Sequence, residues 1–212
     1  EQGEFRLIHN LSYPVRLSVN DGLCAVGYTS FDEAITKLQG LGRGALMAKA
    51  DIASAFRLLP VHPEDTRLLG FTFEGRFNMD CCMPMGCAIA CAHFETFSRF
   101  LEWAVGDLVQ TRDIVHYLDD FLFMGPKGSR ACAHTLHGFT ELAKALGVPL
   151  AADKTEGPAT RLSFLGIEID TVAGICRLPQ DKVESFRAAV RRCREAKSVT
   201  LHQLQCLVGQ LN

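Results

Sequence analysis

The sequence predicts an α+β layer fold, an antiparallel sheet with helices packed on one face. Three observations carry that reading. Segments with helical apolar spacing alternate with short apolar runs of strand length. Tight-turn residues join several of those runs as hairpins. The 212 residues are 48% hydrophobic and 22% charged, enough chain to bury a core in one large domain or two small ones.

Taken in order, Phe5 to Leu11 reads as a strand, followed by a Ser12-Tyr13-Pro14 turn and a loop through Gly22. Ser30 and Glu33 form a capping box that opens a helix to about Leu38. The Gly40-x-Gly42-x-Gly44 stretch has the wrong spacing for a dinucleotide fingerprint and reads as a helix stop. Ala45 to Asp51 is a strand ending on a carboxylate, and Ala53 to Leu59 a compact turn closed by Pro60 and Pro63. Leu69 to Met79 reads as a hairpin around Glu74-Gly75. From Gly86 to Val109 a long helix carries Ile89, Phe94, Phe97, Leu101 and Trp103 on one side, as core rather than a base-stacking platform. Two apolar strands follow, Ile114 to Leu118 and Phe121 to Met124, separated only by Asp119-Asp120. Ser129 to Leu146 is a helix stopped by Gly147, and Leu162 to Asp170 with Gly174 to Leu178 forms another hairpin. Helices over about Asp181 to Lys197 and from Leu201 onward complete the chain.

Composition excludes several classes. The charge and hydrophobic balance is too ordinary for a disordered chain, and no apolar run approaches the length of about 18 residues that a membrane helix needs. The chain starts at Glu1 without a signal peptide and stops at Asn212 inside a helical pattern, which reads as a fragment of a longer protein. Nine cysteines lack zinc-site spacing and read as reduced, buried thiols of an intracellular protein, cytoplasmic or nuclear. A formal net charge of -2 neither advertises a nucleic-acid binder nor excludes one, because bound metal ions and local basic patches override the total.

Asp119-Asp120 is the most informative feature. Two adjacent acids between apolar strands are costly to bury, and in a straight strand they would point to opposite faces. A tight turn aims them at one site. A polar surface hairpin is the plain alternative, but Asp-Gly or Asn-Gly would be its usual turn chemistry, and neither flank has a polar alternate face. Asp51 adds a third acid at a strand end. Three such carboxylates are what a two-metal phosphoryl-transfer site requires, and hard oxygen donors select Mg²⁺. By spacing alone, many hydrolases could present the same set.

These residues sit in motifs that resemble the fingers, palm and start of the thumb of a reverse transcriptase, in the family's order. Phe5-Arg6-Leu7-Ile8-His9-Asn10-Leu11-Ser12 resembles the fingers strand whose Arg holds the incoming triphosphate, and Lys49-Ala50-Asp51-Ile52-Ala53-Ser54-Ala55-Phe56 resembles the first palm motif. Met83-Pro84-Met85-Gly86-Cys87 resembles the motif opening the palm helix, and Tyr117-Leu118-Asp119-Asp120 the metal-binding hairpin. Asp153-Lys154-Thr155 resembles the lysine-bearing fourth motif, and Phe164-Leu165-Gly166-Ile167 the hairpin that grips the primer. Ser18-Val19-Asn20-Asp21 and the Met-Gly-Cys motif are similar to the DIRS-like retroelements that integrate with a tyrosine recombinase. Asn10 stands where many relatives carry Asp, and Met85 where Gln or Phe is common, so any sugar contact by Met85 is by packing.

The resemblance implies an α+β right-hand polymerase palm with partial fingers. The division expected is fingers over 1–27, palm over 28–60, a fingers hairpin over 61–85, palm with catalytic and primer-grip hairpins over 86–178, and thumb or connection helices over 179–212. It implies an RNA-directed DNA polymerase that extends a primer on an RNA or DNA template with deoxynucleoside triphosphates. Two Mg²⁺ ions, for which Mn²⁺ can substitute, would be held by Asp51, the Ile52 carbonyl, Asp119 and Asp120. Lys154 would protonate the leaving pyrophosphate, Arg6 clamp phosphates, and Phe56 exclude a ribose 2′-hydroxyl. Met85, Gly86 and Tyr117 would line the substrate site, and Leu165 and Gly166 the primer grip. Ribonuclease H and integrase or recombinase regions would lie in a parent retrotransposon polyprotein, with no membrane partner.

Each residue also has a plain reading: a helix cap for Asp51, a solvated loop lysine for Lys154, an exposed edge charge for Arg6, core rings for Phe56 and Tyr117. The 181–197 segment carries six cations against three acids, a net +3 that suits duplex phosphates or an ordinary solvated face. The competing functions are a domesticated module that binds nucleic acid without synthesis, and a Mg²⁺-dependent nuclease using the same acids.

Overall fold

The computed structural model describes residues 7–21, 27–28 and 30–211. At its centre lies an antiparallel sheet of four strands in the order β4-β5-β1-β6: β1 is Leu46–Asp51, β4 Ile114–Tyr117, β5 Asp120–Gly125 and β6 Glu156–Ala159. Its two inner strands are apolar toward both neighbouring layers except at Lys49, whose Nζ donates to the Ser163 carbonyl of the strand 161–164. Ala48, Ala50, Phe121 and Phe123 face the long helices α2 (Ala88–Leu108) and α3 (Ala131–Leu146), against Phe94, Leu101, Val105, Phe139 and Ala143. The alternate residues Met47, Leu122 and Met124 face α1 (Phe31–Leu41) and the strands β7 (Arg161–Phe164) and β8 (Ile167–Asp170). Covering both faces explains why neither flank of Asp119-Asp120 shows polar alternation. Phe139 anchors the helical layer, its ring centroid 4.6 Å from Phe121 and 5.1 Å from Phe123. Each such fully buried ring stabilises by about 1.5–3 kcal/mol.

The local signals act as the residues suggest. Ser30 Oγ accepts from the Glu33 N–H, and Gly42, at φ 85°, closes α1 with its own N–H on Leu38 and Gln39 carbonyls. The hairpin of β2 (Gly70–Phe73) and β3 (Arg76–Met79) turns through Glu74 and Gly75, both at positive φ.

Four expectations are corrected. Among the described residues 7–11 there is no strand, only an isolated bridge from Ile8 to Met85. The segment 162–170 is not one arm of a hairpin: Leu165 and Gly166, at φ 48° and 76°, turn it into β7 and β8, and β9 (Ile175–Arg177) adds a third strand. Trp103 is 59% exposed, because nine residues beyond Phe94 put it about 180° around the helix from the buried stripe. The described thiols are unpaired, yet Cys81, Cys176 and Cys206 are exposed and only Cys87 and Cys132 are fully buried. The helices α4 (Gln180–Glu195) and α5 (Leu201–Leu211) follow. Among the described residues no helix is long and apolar enough to cross a membrane.

Candidate active site

Three strand ends bring the acids together. Asp51 is the last residue of β1 and the register partner of Asp120, the first of β5. Asp120 in turn pairs with Tyr117 at the end of β4, so Leu118 and Asp119 form the whole turn between them. Leu118 adopts φ 53°, a conformation costly for a branched side chain and held here by its packing against the helical core.

The backbone clamps Asp51 from both sides. The Ile52 N–H donates to the Asp119 carbonyl at 3.0 Å, while Asp51 accepts from Ala151 at 2.9 Å and Ala53 donates to Pro149 at 2.9 Å. In extended chain the N–H and C=O of one residue point the same way, so the Ile52 carbonyl shares the side of its N–H, toward the Leu118-Asp119 turn. The bonds to residues 149–151 also carry the chain into a single 3₁₀ turn, Ala152–Lys154, that delivers Lys154. Its Nζ lies 3.0 Å from Asp51 Oδ2.

The electrostatics follow from crowding. Asp51 is buried, and Asp119 and Asp120 are half-buried. Burial first, then the charges of Asp119 and Asp51, push the Asp120 carboxyl up to about 6, with Lys154 partly opposing. The hydrogen bond to Asp51 holds the Lys154 ammonium protonated above its usual range. As they stand, no three carboxylate, imidazole or thiol side chains among the described residues are gathered closely enough to hold a metal ion. The donor set is nonetheless all hard oxygen, with more negative charge than Lys154 balances, which suits Mg²⁺ or Mn²⁺.

A second group forms beside this one. Leu59 and Val61, just after Phe56, hydrogen-bond to the segment leading to Met85: Met83 N–H to Leu59 O at 2.8 Å and Val61 N–H to Cys81 O at 3.0 Å. Phe56 is half-buried, edge-on to Phe94 at 5.8 Å, and packs in the same small cluster as Met83 and Ile89. Met85 accepts from the His9 N–H at 2.9 Å. Gly86 sits at φ 99°, and a Cβ there would lie 2.0 Å from the His9 carbonyl oxygen, so only glycine fits. Asn20 holds this corner, donating to the Gly86 carbonyl and accepting from the Ala88 N–H, each at 2.8 Å, at the start of α2.

Of the residues expected from sequence, Asp51, Ile52, Asp119, Asp120 and Lys154 come together, with Tyr117 alongside at 5.2 Å from the Tyr28 ring. Phe56, Met85 and Gly86 form the adjoining group. Leu165 and Gly166 stand apart in the β7–β8 turn, where Gly166 O accepts from Lys182 Nζ at 3.3 Å. Arg6 lies outside the described residues. Two clusters had no sequence signal: Asp80 with Arg57 and His9, and the buried His116 held between Glu95 and Glu102 of α2. Glu95 and Glu102, seven apart, were the only trace of the second, and an acidic pair at that spacing is ordinary on a helix.

A family model described as "Reverse transcriptase (RNA-dependent DNA polymerase)" matches residues 6–169. Among solved structures, the chain is similar to the foamy viral protease-reverse transcriptase dRH in complex with double-stranded DNA, with a TM-score of 0.68 and 20% identity over 92% of this chain and 32% of that one. The foamy viral protease-reverse transcriptase with double-stranded DNA gives 0.63 and 23% identity over 92% and 37%. The same viral protein in complex with an RNA/DNA hybrid gives 0.64 and 20% over 92% and 25%. At such identities the likeness speaks for the fold, and the chain spans between a quarter and two-fifths of the length of these relatives. No curated protein matches. The match over most of the chain, in the fold those structures share, means that this chain belongs to the reverse transcriptase (RNA-dependent DNA polymerase) family.

Proposed function

We propose that this chain is the catalytic core of an RNA-directed DNA polymerase that extends a primer 3′-hydroxyl with deoxynucleotides. The observation that carries it is the Asp51–Asp120 register pair with Asp119 in the adjoining two-residue turn, three acids on strand ends of one sheet. Asp51, the Ile52 carbonyl, Asp119 and Asp120 would hold two divalent cations, which when bound polarise the attacking hydroxyl and offset charge on the leaving phosphate. The chain's own part is orientation. The Asp119 carbonyl fixes Ile52, and the 149–151 segment fixes Asp51, so hydrogen bonds hold the main chain that carries these ligands.

Lys154 serves first as the counter-charge to Asp51 and, with substrate bound, as the proton donor to departing pyrophosphate. Phe56 discriminates against ribose by clash, and Met85 and Gly86 complete the sugar floor by packing. Tyr117 lines the primer terminus, the Leu165-Gly166 turn supports the primer, and α4 tracks template–primer phosphates with Arg187, Arg191, Arg192 and Arg194, all exposed. Arg6 would clamp the triphosphate. The setting we infer is a retrotransposon polyprotein with ribonuclease H and integrase or recombinase regions, on the strength of the motif resemblance.

Primer extension on an RNA template by the purified protein, with Mg²⁺ and deoxynucleotides, tests this reading. Template-directed growth that stops when deoxynucleotides are withheld is the expected result. Degradation independent of deoxynucleotides supports a nuclease instead, and binding without growth supports a non-catalytic module.

A further inference from the structure

Asp80 is a buried carboxylate at the meeting point of three segments that flank Phe56 and Met85. It follows β3, and its N–H donates to Leu69 O at 3.2 Å. Its Oδ1 lies 2.6 Å from Arg57 Nη1. Its Oδ2 lies 3.1 Å from His9 Nε2, within ion-pair range although the ring is not aligned for a hydrogen bond. Both partners touch the adjoining group directly. Arg57 is the residue after Phe56, in the same 3₁₀ turn, with its own N–H on Ser54 O at 2.8 Å. His9 gives its N–H to Met85 and sets its carbonyl where it forbids any side chain on Gly86. Its ring also stands edge-on to Phe71 of β2 at 5.0 Å.

One carboxylate thus joins the Phe56 turn, the Gly86 corner and the β2–β3 hairpin. Holding these parts together does not require a charge, since Leu11, Leu69, Cys87 and Ala90 already pack there with Phe56, Val61 and Met83. Buried ion pairs add little net stability against apolar substitutes and are retained where they fix one arrangement. Here the arrangement fixed is that of the Arg57 turn, which carries Phe56, and the His9 segment, which abuts Gly86, about one carboxylate.

We propose that Asp80, acting through Arg57 and His9, is a positioning residue for sugar selection, setting the width of the floor that Phe56 and Gly86 form. This rests on the polymerase reading above and on Phe56 as its sugar gate. Arg57 has a half-exposed side chain, so Arg57→Gln is compatible with folding, whereas Asp80→Asn strips both partners at once.

The test measures kcat/KM for deoxynucleotides and ribonucleotides on one template–primer, with a thermal melt for each protein. Arg57→Gln and folded Asp80→Asn are expected to lower the deoxy-to-ribo ratio by roughly threefold to tenfold, the range of a side chain acting through a neighbour. Arg57→Lys recovers part of the ratio by charge without the guanidinium fork. In the Phe56→Ala background, Arg57→Gln should add nothing further. An unchanged ratio in folded Arg57→Gln, or an effect undiminished beside Phe56→Ala, overturns the inference while leaving the polymerase reading intact. If Phe56→Ala alone leaves the ratio unchanged, the sugar-gate reading fails. If the parent protein incorporates nothing, the polymerase reading fails, and in either case this inference fails with it.

Discussion

The Lys154 ammonium rests 3.0 Å from Oδ2 of Asp51, a residue only 7% exposed. With Asp119 and Asp120 beside it, Asp51 would otherwise face uncompensated negative charge. The lysine therefore competes with any cation that the same oxygen would ligate. Lys154→Gln should tighten Mn²⁺ binding, read by titration calorimetry, while lowering the extension rate by about 10²-fold through loss of the acid. Unchanged Mn²⁺ binding with an unchanged rate would show that Lys154 plays no part in the site, and weaker binding would contradict the competition.

Asp120 makes the stability of the metal-free protein fall as pH rises. Its carboxyl is raised from 3.8 to about 6 in the folded chain, so below 3.8 it is protonated in folded and unfolded states alike and its contribution is fully present. Between those values the unfolded chain gives up the proton while the fold keeps it, and stability is lost until the curve flattens above about 6. The loss is on the order of 1–2 kcal/mol after solvent screening. Urea midpoints of wild type against Asp120→Asn from pH 3.5 to 7 should differ by that slope, with the variant more stable at pH 7. Saturating Mg²⁺ should erase the difference and release protons below pH 6. Parallel curves would contradict the assignment of the shift to this carboxyl.

How much of this was legible follows from where the physics is local. The acids at strand ends could be read because strand, turn and carboxylate are adjacent in sequence, and Asp51 was placed by the apolar run before it. The strand β6 could not, since Glu-Gly-Pro-Ala is a poor strand sequence. It survives as an edge strand beside β1, where a Cβ on Gly157 would come within 2.5 Å of the Met47 carbonyl. The turn at Leu165-Gly166 was indicated by the motif resemblance but not by local propensity, because Leu gives no sign that it will take φ 48°. The Asp80 and His116 clusters join residues from distant segments that only the fold brings together.

Phe56 is half-buried and edge-on to Phe94, and removing the ring should relax sugar choice more than rate. Phe56→Ala is expected to raise ribonucleotide incorporation relative to deoxynucleotide by tenfold or more, about 1.4 kcal/mol of discrimination. The ratio of single-nucleotide insertion efficiencies measures it. A folded variant with the wild-type ratio would reduce Phe56 to a packing residue.

The arginines of α4 should bind duplex through phosphate charge alone. Arg191→Glu with Arg192→Glu should weaken template–primer binding at every sequence and flatten log affinity against log salt by about 0.9 per lost contact. Both side chains are exposed and both residue types favour helix, so folding is not at stake. Fluorescence anisotropy across a salt series reads the slope, and wild-type affinity with a wild-type slope would remove α4 from the duplex track.

The central claim is that Asp119, aimed by a two-residue turn beside the Asp51–Asp120 pair, serves polymerisation. Its most direct measurement is single-nucleotide incorporation on an RNA-templated primer with Mg²⁺, wild type against Asp119→Asn, folding verified by circular dichroism. The account predicts template-directed incorporation by the wild type and a loss of roughly 10²–10³-fold or more in the folded variant. Wild-type incorporation by Asp119→Asn would contradict it.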